Sequence, residues 1–474
     1  MKETEHYETA LEDRLPFRQK FSYGLGMLAN NVQAAAVGAM QVILNLGLGL
    51  NPALVGILGA VPRFIDALTD PVMGYVSDNT QSRFGRRRPY ILGGGIASGI
   101  VFALMWQLYP GHGQMFYFWL FMLTSNLFFV AYTIYATPLI ALGYELTADY
   151  HERTRLLGFS NFMGQFAWLA APWFYRFVEN KKLFTDSVQG ARTLAILIGL
   201  FIGIVGIMPA IFTQERFAGA PKAREGLWNN FKKFFQGFVI TWKSRPFIKL
   251  CAATFLVFNG YMLGSTFTLY AMIYYLFGGD RAQGGTLLGW FGTLSSICTF
   301  LIIFLTTWIS TKIGKRRTFF IMISLSLVGF VVKWFAYSPE HPYRLLLAAP
   351  LIACGIGSLF TVVGAMVADV CDLDELQTGQ RREGMYGAIF WWMVKLGMAA
   401  ASFIAGILLN VTGFDVNLTV AQAPRTLLLL RAFDCGIPLL TSALAILAVA
   451  TYGITEGRAH QIRQELEKRR GKLG

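Results

Sequence analysis

The segment LVGILGAVPRFIDALTDPVMGYV, residues 54–76, decides the fold, because it is long and apolar enough to cross a lipid bilayer as one helix. Asp66 and Asp70 interrupt it four residues apart, and this spacing places both carboxylates on one helix face, which Arg63 borders. Each charge at the bilayer centre costs about 2.5–3.5 kcal/mol on insertion scales. We therefore expect this face to line a bundle interior or a water-filled cavity, where the aspartates bind a cation or form a structural ion pair with Arg63 or with a lysine elsewhere in the membrane.

The composition predicts a polytopic membrane protein. Of the 474 residues, 54% are hydrophobic and only 14% are charged, against about 25% charged in a typical soluble protein. Apolar stretches of bilayer length recur from end to end, and we predict an all-α protein with twelve transmembrane helices. The predicted spans are 21–46, 53–77, 90–109, 115–144, 156–178, 191–213, 247–277, 284–310, 319–337, 344–370, 385–410 and 426–454.

The net charge of +14 follows the predicted topology. Of the 41 Lys and Arg residues, 29 lie in alternate polar segments, which is the positive-inside pattern of cytoplasmic loops. Both termini are therefore expected in the cytoplasm, and the charge does not indicate a nucleic-acid partner. The first twenty residues lack the pattern of a signal peptide, and the five scattered cysteines predict neither a disulfide framework nor a metal site.

Two loops at matching positions indicate an internal repeat. GYVSDNTQSRFGRRRPY, residues 74–90, follows the second span, and WISTKIGKRRTFF, residues 308–320, follows the eighth. Both contain a glycine followed by a run of basic residues. This repeat predicts the major facilitator fold, with two six-helix halves that alternate access to a site near the midplane. The predicted divisions are an N-terminal half 1–213, a cytoplasmic linker 214–246, a C-terminal half 247–455 and a cytoplasmic tail 456–474.

The linker and the tail contain polar helices outside the bilayer. Within the linker, LWNNFKKFFQGFVITWK, residues 227–243, has apolar residues at helical spacing with lysines off the stripe. This pattern predicts an amphipathic helix on the cytoplasmic membrane surface, as a structural connection or a partner-binding segment. The tail is predicted to contain a short solvated helix without a chemical role.

The string RFIDALTDPVMGYVSDNTQSRFGRRRPYIL, residues 63–92, resembles the second span and following loop of the glycoside-pentoside-hexuronide:cation symporters, the melibiose-permease-like branch of the major facilitator superfamily. MVADVCDLDELQTGQRREGMYGAIFWWMVKLG, residues 366–397, is similar to the family's segment around spans ten and eleven. KFSYGLG at 20–26 and AYTIYATP at 131–138 extend the resemblance over nearly the whole chain.

The resemblance implies a cation site and a coupling lysine. Asp66 and Asp70 match the two cation-site aspartates of the family, Thr133 matches a hydroxyl ligand of the fourth span, and Lys395 matches a functional lysine of the eleventh. Two carboxylates and a hydroxyl make an oxygen site that suits a small monovalent cation. The hypothesis is that Lys395 pairs with the aspartates once the cation leaves.

Some positions depart from the family pattern. Thr69 stands where sodium users often have asparagine, so the coupling ion is sodium or a proton. Asn31 and Ala136 stand where sugar-binding aspartates of melibiose permease align, and Asn161 replaces a basic residue of its fifth span. Melibiose itself is therefore not the expected substrate.

The remaining candidate residues fall into two sets. Amide and aromatic side chains suit a neutral ring sugar, because amides bond its hydroxyls and an aromatic face covers its C–H surface. The expected substrate or coupling residues are Lys395, Arg63, Asn31, Tyr132, Asn161, Gln165, Trp168 and Trp391. The two basic loops are expected either to form cytoplasmic gate ion pairs or to carry topogenic charge alone. The gate residues are Asp78, Arg83, Arg86, Arg87, Lys315 and Arg316.

The expected function is secondary active symport of a sugar or glycoside with Na⁺ or H⁺, by a monomer in the cell (inner or plasma) membrane that needs no other cofactor. Two alternatives stay open. A cation-coupled lysolipid transporter has the same fold. An intramembrane prenyltransferase would use Asp66 and Asp70 as a DxxxD motif with a second acidic cluster, ADVCDLDE at 368–375, whose Asp369, Asp372 and Asp374 otherwise predict a solvated cytoplasmic loop near Arg381 and Arg382.

Overall fold

The structure, a computed structural model, describes residues 14–147, 149–215, 232, 237, 239–379, 382–418 and 422–470. Its described part is built from helices. The first group is α1 Phe17–Met40, α2 Val42–Leu46, α3 Pro52–Asn79, α4 Arg88–Met105, α5 Gln114–Glu145, α6 Tyr150–Val178, α7 Ser187–Val205 and α8 Met208–Phe212. The second group is α9 Arg245–Tyr270, continued by a π-helical stretch Ala271–Leu276, then α10 Arg281–Ile313, α11 Lys315–Ala336, a 3₁₀ stretch Pro342–Ala348, α12 Ala349–Thr378, α13 Glu383–Val411, α14 Pro424–Ala450 and α15 Glu456–Arg470.

Each predicted span corresponds to a helix or a pair of consecutive helices. Among the described residues, eleven helices are long and apolar enough to cross a membrane. The predicted fifth span corresponds to α6, which has 29 residues but is more polar than the others because Ser160, Asn161 and Gln165 lie within it. Most of the predicted linker helix falls on residues 216–231, 233–236 and 238, which lie outside the described residues.

Short polar side chains cap the N-termini of several helices. The side chain of Asp186 accepts a hydrogen bond from the backbone N–H of Gln189, 2.7 Å away, at the N-terminus of α7. Asp280 accepts from the N–H groups of Ala282 and Gln283 at the start of α10. Such caps satisfy backbone donors that have no partner within the helix, so they fix where the helices begin.

The chain divides into two compact units. The first comprises Met1–Leu50 and Ile65–Phe231, and the second comprises Asn51–Phe64 and Lys232–Gly474. In the first unit α1 packs along α6, and α4 packs against α5 and α7. A Cβ on Gly99 would lie 2.5 Å from the carbonyl oxygen of Gly199, so these two glycines allow α4 and α7 to approach each other closely. The predicted divisions at 213, 246 and 455 stay predictions.

The second unit has a larger core, and it includes part of the tail. Helix α9 packs along α14, and α12 packs against α10 and α11. Helix α15 of the tail contacts α12, and its Ile462 and Leu466 are buried in a cluster with Cys371 and Leu376. The predicted short helix of the tail is present and most of its described side chains are exposed, but it also buries an apolar edge against the second unit, which the prediction of a solvated helix did not include.

Candidate functional site

Asp66 is the centre of a buried polar constellation in the first unit. Its side chain is fully buried on α3, at 0% exposure. The hydroxyl of Thr133, a buried residue of α5, donates a hydrogen bond to Asp66 Oδ1 over 2.8 Å. A carboxylate buried among apolar helices is costly unless charged or hydrogen-bonding groups compensate it, so this arrangement needs a specific chemical reason.

Thr69 and Asp70 extend the same constellation. The Thr69 hydroxyl lies 3.1 Å from the Thr133 hydroxyl and 3.1 Å from the backbone carbonyl oxygen of Asp66. One turn further along α3, the half-buried Asp70 accepts a hydrogen bond of 3.1 Å from Thr137. Two carboxylates of α3 thus face two hydroxyls of α5 in matching order, because both pairs have four-residue spacing.

Sequence reasoning predicted four of these five residues and missed Thr137. The signal was present in AYTIYATP, where Thr137 follows Thr133 by four residues, as Asp70 follows Asp66. The donor set consists of carboxylate and hydroxyl oxygens. Such oxygens suit small hard cations, and two carboxylates with hydroxyl groups match a monovalent ion or an exchangeable proton.

A second polar surface of the first unit joins α1 and α6. The Trp168 indole N–H donates to the Asn31 side-chain oxygen over 3.1 Å, and the Asn31 amide nitrogen donates to the carbonyl of Met27. Asn161, Gln165 and Trp168 occupy exposed positions of α6. Gln165 follows Asn161 by four residues, and Trp168, which is 41% exposed, follows Gln165 by three. These residues share one helix face, so the structure brings together four of the predicted substrate residues.

The remaining predicted substrate residues are distributed over both units. Tyr132, on α5 of the first unit, is half-buried and stacks on Phe128. Trp391, on α13 of the second unit, is 55% exposed and stacks on Phe360 with 5.4 Å between ring centroids. Lys395 follows Trp391 by one turn and is half-buried, as is Arg63 on the part of α3 that belongs to the second unit.

The basic loop after α3 forms a compact ion-pair network. Arg87, which is 5% exposed, donates to Asp78 over 2.8 Å and to Glu145 over 2.6 and 2.9 Å. Arg86 also donates to Glu145, over 2.5 Å. Arg83 differs from both, since its guanidinium lies over the ring of the adjacent Phe84. Glu145, the last residue of α5, was not predicted, because nothing in its local sequence shows that the end of α5 reaches this loop.

In the equivalent loop of the second unit, fewer side-chain pairs are found among the described residues. Lys315 donates to Asp369 over 2.6 Å and to the carbonyl of Ala365 over 3.2 Å. Arg316 donates to the carbonyl of Ala450, the last residue of α14.

The acidic stretch after position 368 also differs from its prediction. Asp369, Asp372 and Asp374 lie within α12, which extends to Thr378. Arg382 binds both carboxylate oxygens of Asp374. The prediction of a solvated loop is therefore wrong, since helical hydrogen bonding continues beyond the apolar part of the span. Arg381 lies outside the described residues.

A buried ion pair in the second unit was not among the predicted residues. Lys333 of α11 donates to Asp434 of α14 over 2.7 Å, and Thr268 and Tyr337 donate to the same carboxylate over 2.5 Å each. All four side chains are buried. Lys333 was visible as the single charged residue of the predicted span 319–337, and Asp434 as an acid three residues after Arg431 in the span 426–454, but their pairing across 101 positions was not visible.

The chain matches known proteins over almost its whole length. A family model described as "MFS/sugar transport protein" matches residues 22–456. A putative glycoside/cation symporter of Escherichia coli (strain K12) is 25% identical in an alignment of 470 positions that covers 97% of this chain and 97% of the relative. The isoprimeverose transporter of Lactiplantibacillus pentosus is 22% identical, over 94% of this chain and 90% of the relative.

The fold is also shared with solved structures. A crystal structure of a D-xylose-proton symporter superposes with a TM-score of 0.64 over 94% of this chain and 99% of its own, at 14% sequence identity. At 14% sequence identity this similarity establishes the fold but does not identify the ligand.

Proposed function

Since the chain belongs to the MFS/sugar transport protein family, we propose that Asp66 and its neighbours bind a monovalent cation whose movement drives the uptake of a sugar or glycoside. Membership of this family makes the protein a multi-pass membrane transporter with the major facilitator fold. It also excludes the prenyltransferase alternative, because the family and the relatives are transporters and not enzymes. The predicted resemblance to glycoside:cation symporters is confirmed.

The observation that supports the cation site is the buried Asp66 carboxylate with its Thr133 hydrogen bond. Asp66, Asp70, Thr69 and Thr133 supply oxygen atoms, and Thr137 adds a fifth donor residue through its bond to Asp70. A cation bound among these oxygens compensates the carboxylate charge that the apolar surroundings disfavour. Sodium and a proton both meet this requirement, and Thr69 leaves the choice between them to experiment.

The driving force is sufficient for accumulation. One charge that moves through a membrane potential of 100 mV releases about 2.3 kcal/mol, which corresponds to roughly 50-fold accumulation of a co-transported solute. A nucleotide is therefore not required. We propose that the protein works as a monomer in the cell membrane, with both termini in the cytoplasm, as the positive-inside pattern indicates.

We propose that the substrate is a sugar or glycoside recognised in part by the α1–α6 surface. The Asn31 amide and the exposed Asn161 and Gln165 amides offer donors and acceptors for hydroxyl groups, while the Trp168 ring offers an apolar face. The names of the relatives support this class, since one is an isoprimeverose transporter and another a putative glycoside/cation symporter.

Uptake into liposomes tests this function. Purified protein is reconstituted and given labelled mono- and disaccharides, glucuronides and a lysophospholipid, with an imposed sodium or proton gradient. Sugar uptake that follows one gradient identifies both the symporter and its ion. Uptake of the lysophospholipid with no sugar transported would contradict the glycoside substrate and support the lysolipid alternative.

Lys395 provides a prediction about coupling. Because a charged side chain within a span has a functional role by default, Lys395→Ala is expected to lower gradient-driven uptake by more than about tenfold. The protein level in the membrane is expected to change far less. The measurement is uptake per amount of reconstituted protein, with Lys182→Ala, an exposed lysine of the α6–α7 connection, as the control. Wild-type uptake by Lys395→Ala would refute the coupling role.

The Arg87 network provides a prediction about gating. We propose that its ion pairs stabilise one of the conformations between which the transporter alternates. Arg87→Ala removes bonds to Asp78 and Glu145, so it is expected to shift that equilibrium by about tenfold. Labelling of engineered cysteines reports the shift. Arg83→Ala is the matched control, because Arg83 in the same loop lies over Phe84. Identical labelling of Arg87→Ala and the wild type would exclude a gating role and leave topogenic charge as the explanation.

A further inference from the structure

The glycine turn before α4 is closed by a carboxylate from a distant part of the chain. Glu215, three residues beyond the end of α8, accepts hydrogen bonds from three consecutive backbone N–H groups. The distances are 2.8 Å from Arg86, 2.9 Å from Arg87 and 3.0 Å from Arg88. These groups stand at the N-terminus of α4, where backbone donors lack helical partners and the helix dipole favours a negative charge.

The turn itself requires glycine for two reasons. Gly85 has φ of +98°, a conformation that other residues rarely adopt, and a Cβ there would lie 2.6 Å from Glu215 Oε1. The side chain of Arg88 completes the connection, since its Nε donates to the carbonyl of Ala210 in α8 over 2.6 Å. The start of α4 and the end of α8 are thus joined by two sets of contacts. Glu215 accepts from the backbone of the turn, and Arg88 donates to Ala210.

The second unit shares two features of this arrangement, an acid beside the glycine of the turn and an arginine that binds the end of the last helix. Gly314, between α10 and α11, has φ of +85°, and a Cβ there would lie 2.5 Å from Glu456 Oε2. Glu456 is the first residue of α15 and follows the last span of its half, as Glu215 follows the last span of the other. Arg316 donates to the carbonyl of Ala450 over 2.7 Å, as Arg88 donates to that of Ala210.

We propose that Glu215 and Glu456 are positioning residues of the transporter, each of which holds the glycine–basic turn of its own half in place. Glu215 binds the backbone of Arg86 and Arg87, whose side chains bind Glu145. It therefore fixes the backbone from which the two guanidinium groups of the Arg87 network project. In the second unit Glu456 lies beside Gly314, which immediately precedes Lys315, and Lys315 binds Asp369.

This role explains why an acid follows the last span of each half. Glu215 begins the segment that leaves the first half, and Glu456 begins the tail helix whose Ile462 and Leu466 are buried in the second unit. The turn before α4 is thereby connected to the end of α8. The proposal rests on the proposed transport function, and its test distinguishes a failure of this proposal from a failure of that function.

The test combines labelling with uptake. A cysteine at position 82, in the exposed loop before Gly85, is labelled in the background of Glu215→Ala, Glu215→Gln and Glu340→Ala. Loss of three charge-assisted hydrogen bonds is expected to raise the labelling rate of Glu215→Ala by about tenfold. Glu215→Gln keeps an acceptor oxygen, so its labelling rate is expected to lie between those of Glu215→Ala and the parent. Glu340→Ala, an exposed acid of the connection after α11, is expected to match the parent.

Uptake by the same variants identifies the role. Glu215→Ala and Glu456→Ala are expected to lower the maximal uptake rate several-fold without changing the substrate concentration at half-maximal rate, and Glu215→Asp is expected to restore part of that rate. Unchanged labelling of Glu215→Ala would overturn the proposal, as would increased labelling with a normal uptake rate. Should the wild type transport no sugar, the symport function would fail while the labelling comparison still decides whether Glu215 holds the turn. If Glu215→Ala does not accumulate, Glu215→Gln provides the labelling comparison and Glu456→Ala provides the uptake comparison.

Discussion

Asp66→Asn is expected to lower cation-driven uptake by about 100-fold, because a neutral amide does not compensate the charge of a bound cation and loss of one charged partner in a buried contact weakens binding by about 2–5 kcal/mol. Asparagine keeps the size and the hydrogen-bond acceptor for Thr133 but removes the charge that a cation requires. The measurement is gradient-driven accumulation in liposomes, compared with substrate exchange in the absence of a gradient.

Two controls separate the charge from general damage. Asp186→Asn replaces an exposed aspartate that caps α7, and asparagine caps helices equally well, so uptake is expected to be normal. Thr133→Val removes the hydroxyl that bonds Asp66 and is expected to weaken ion dependence by about tenfold or more. Its counterpart Thr124→Val loses hydrogen bonds to carbonyls of its own helix, at Leu120 and Phe121, and is expected to resemble the wild type. Wild-type accumulation by Asp66→Asn would exclude Asp66 as the cation ligand.

Lys333→Met is expected to destabilise the protein by about 3–5 kcal/mol, because it leaves Asp434 as an uncompensated buried charge. Lys333 and Asp434 are 3% and 1% exposed, so solvent does not screen the loss. The measurement is the thermal unfolding temperature of the purified protein in detergent. Lys312→Met, an exposed lysine at the end of α10, is expected to leave that temperature unchanged.

A double variant tests whether the charge itself is responsible. Lys333→Met/Asp434→Asn removes both charges. Its amide oxygen accepts from one of the two hydroxyls, Thr268 or Tyr337, and its NH2 group can donate to the other, so the double variant is expected to recover most of the lost stability. A double variant less stable than Lys333→Met alone would contradict this explanation. The result is independent of the transport assignment, since it concerns the folding of the second unit.

The fold was predictable because its signal is local. A membrane span must be long, apolar and helical, since backbone groups in lipid need partners within the segment. Each of the twelve predicted spans therefore corresponds to a helix, or a pair of consecutive helices, with ends that differ by at most eight residues. The tail helix is the exception to local reasoning. Its buried residues, Ile462 and Leu466, form too short an apolar edge to show from sequence that α12 covers them.

The cation site was partly predictable for a related reason. Asp66 and Asp70 are identified by the free-energy cost of a charge within an apolar helix, and Thr133 is identified by a resemblance. Thr137 required the structure, because many hydroxyls within spans bond only their own helix. The same limit applies to Glu145, Glu215 and Glu456, which are ordinary acids at helix ends until their partners are known.

The sequence by itself determined the class of protein, the spans, the repeat and the aspartate pair, since each depends on residues close together in the chain. Only the tertiary structure decided which partners those residues have. Helical periodicity states which side chains share a face, but it does not state which of the other helices that face meets. For this reason the bonds of Asp66 to Thr133, of Glu215 to the turn before α4, and of Lys333 to Asp434 emerge only once the helices are packed.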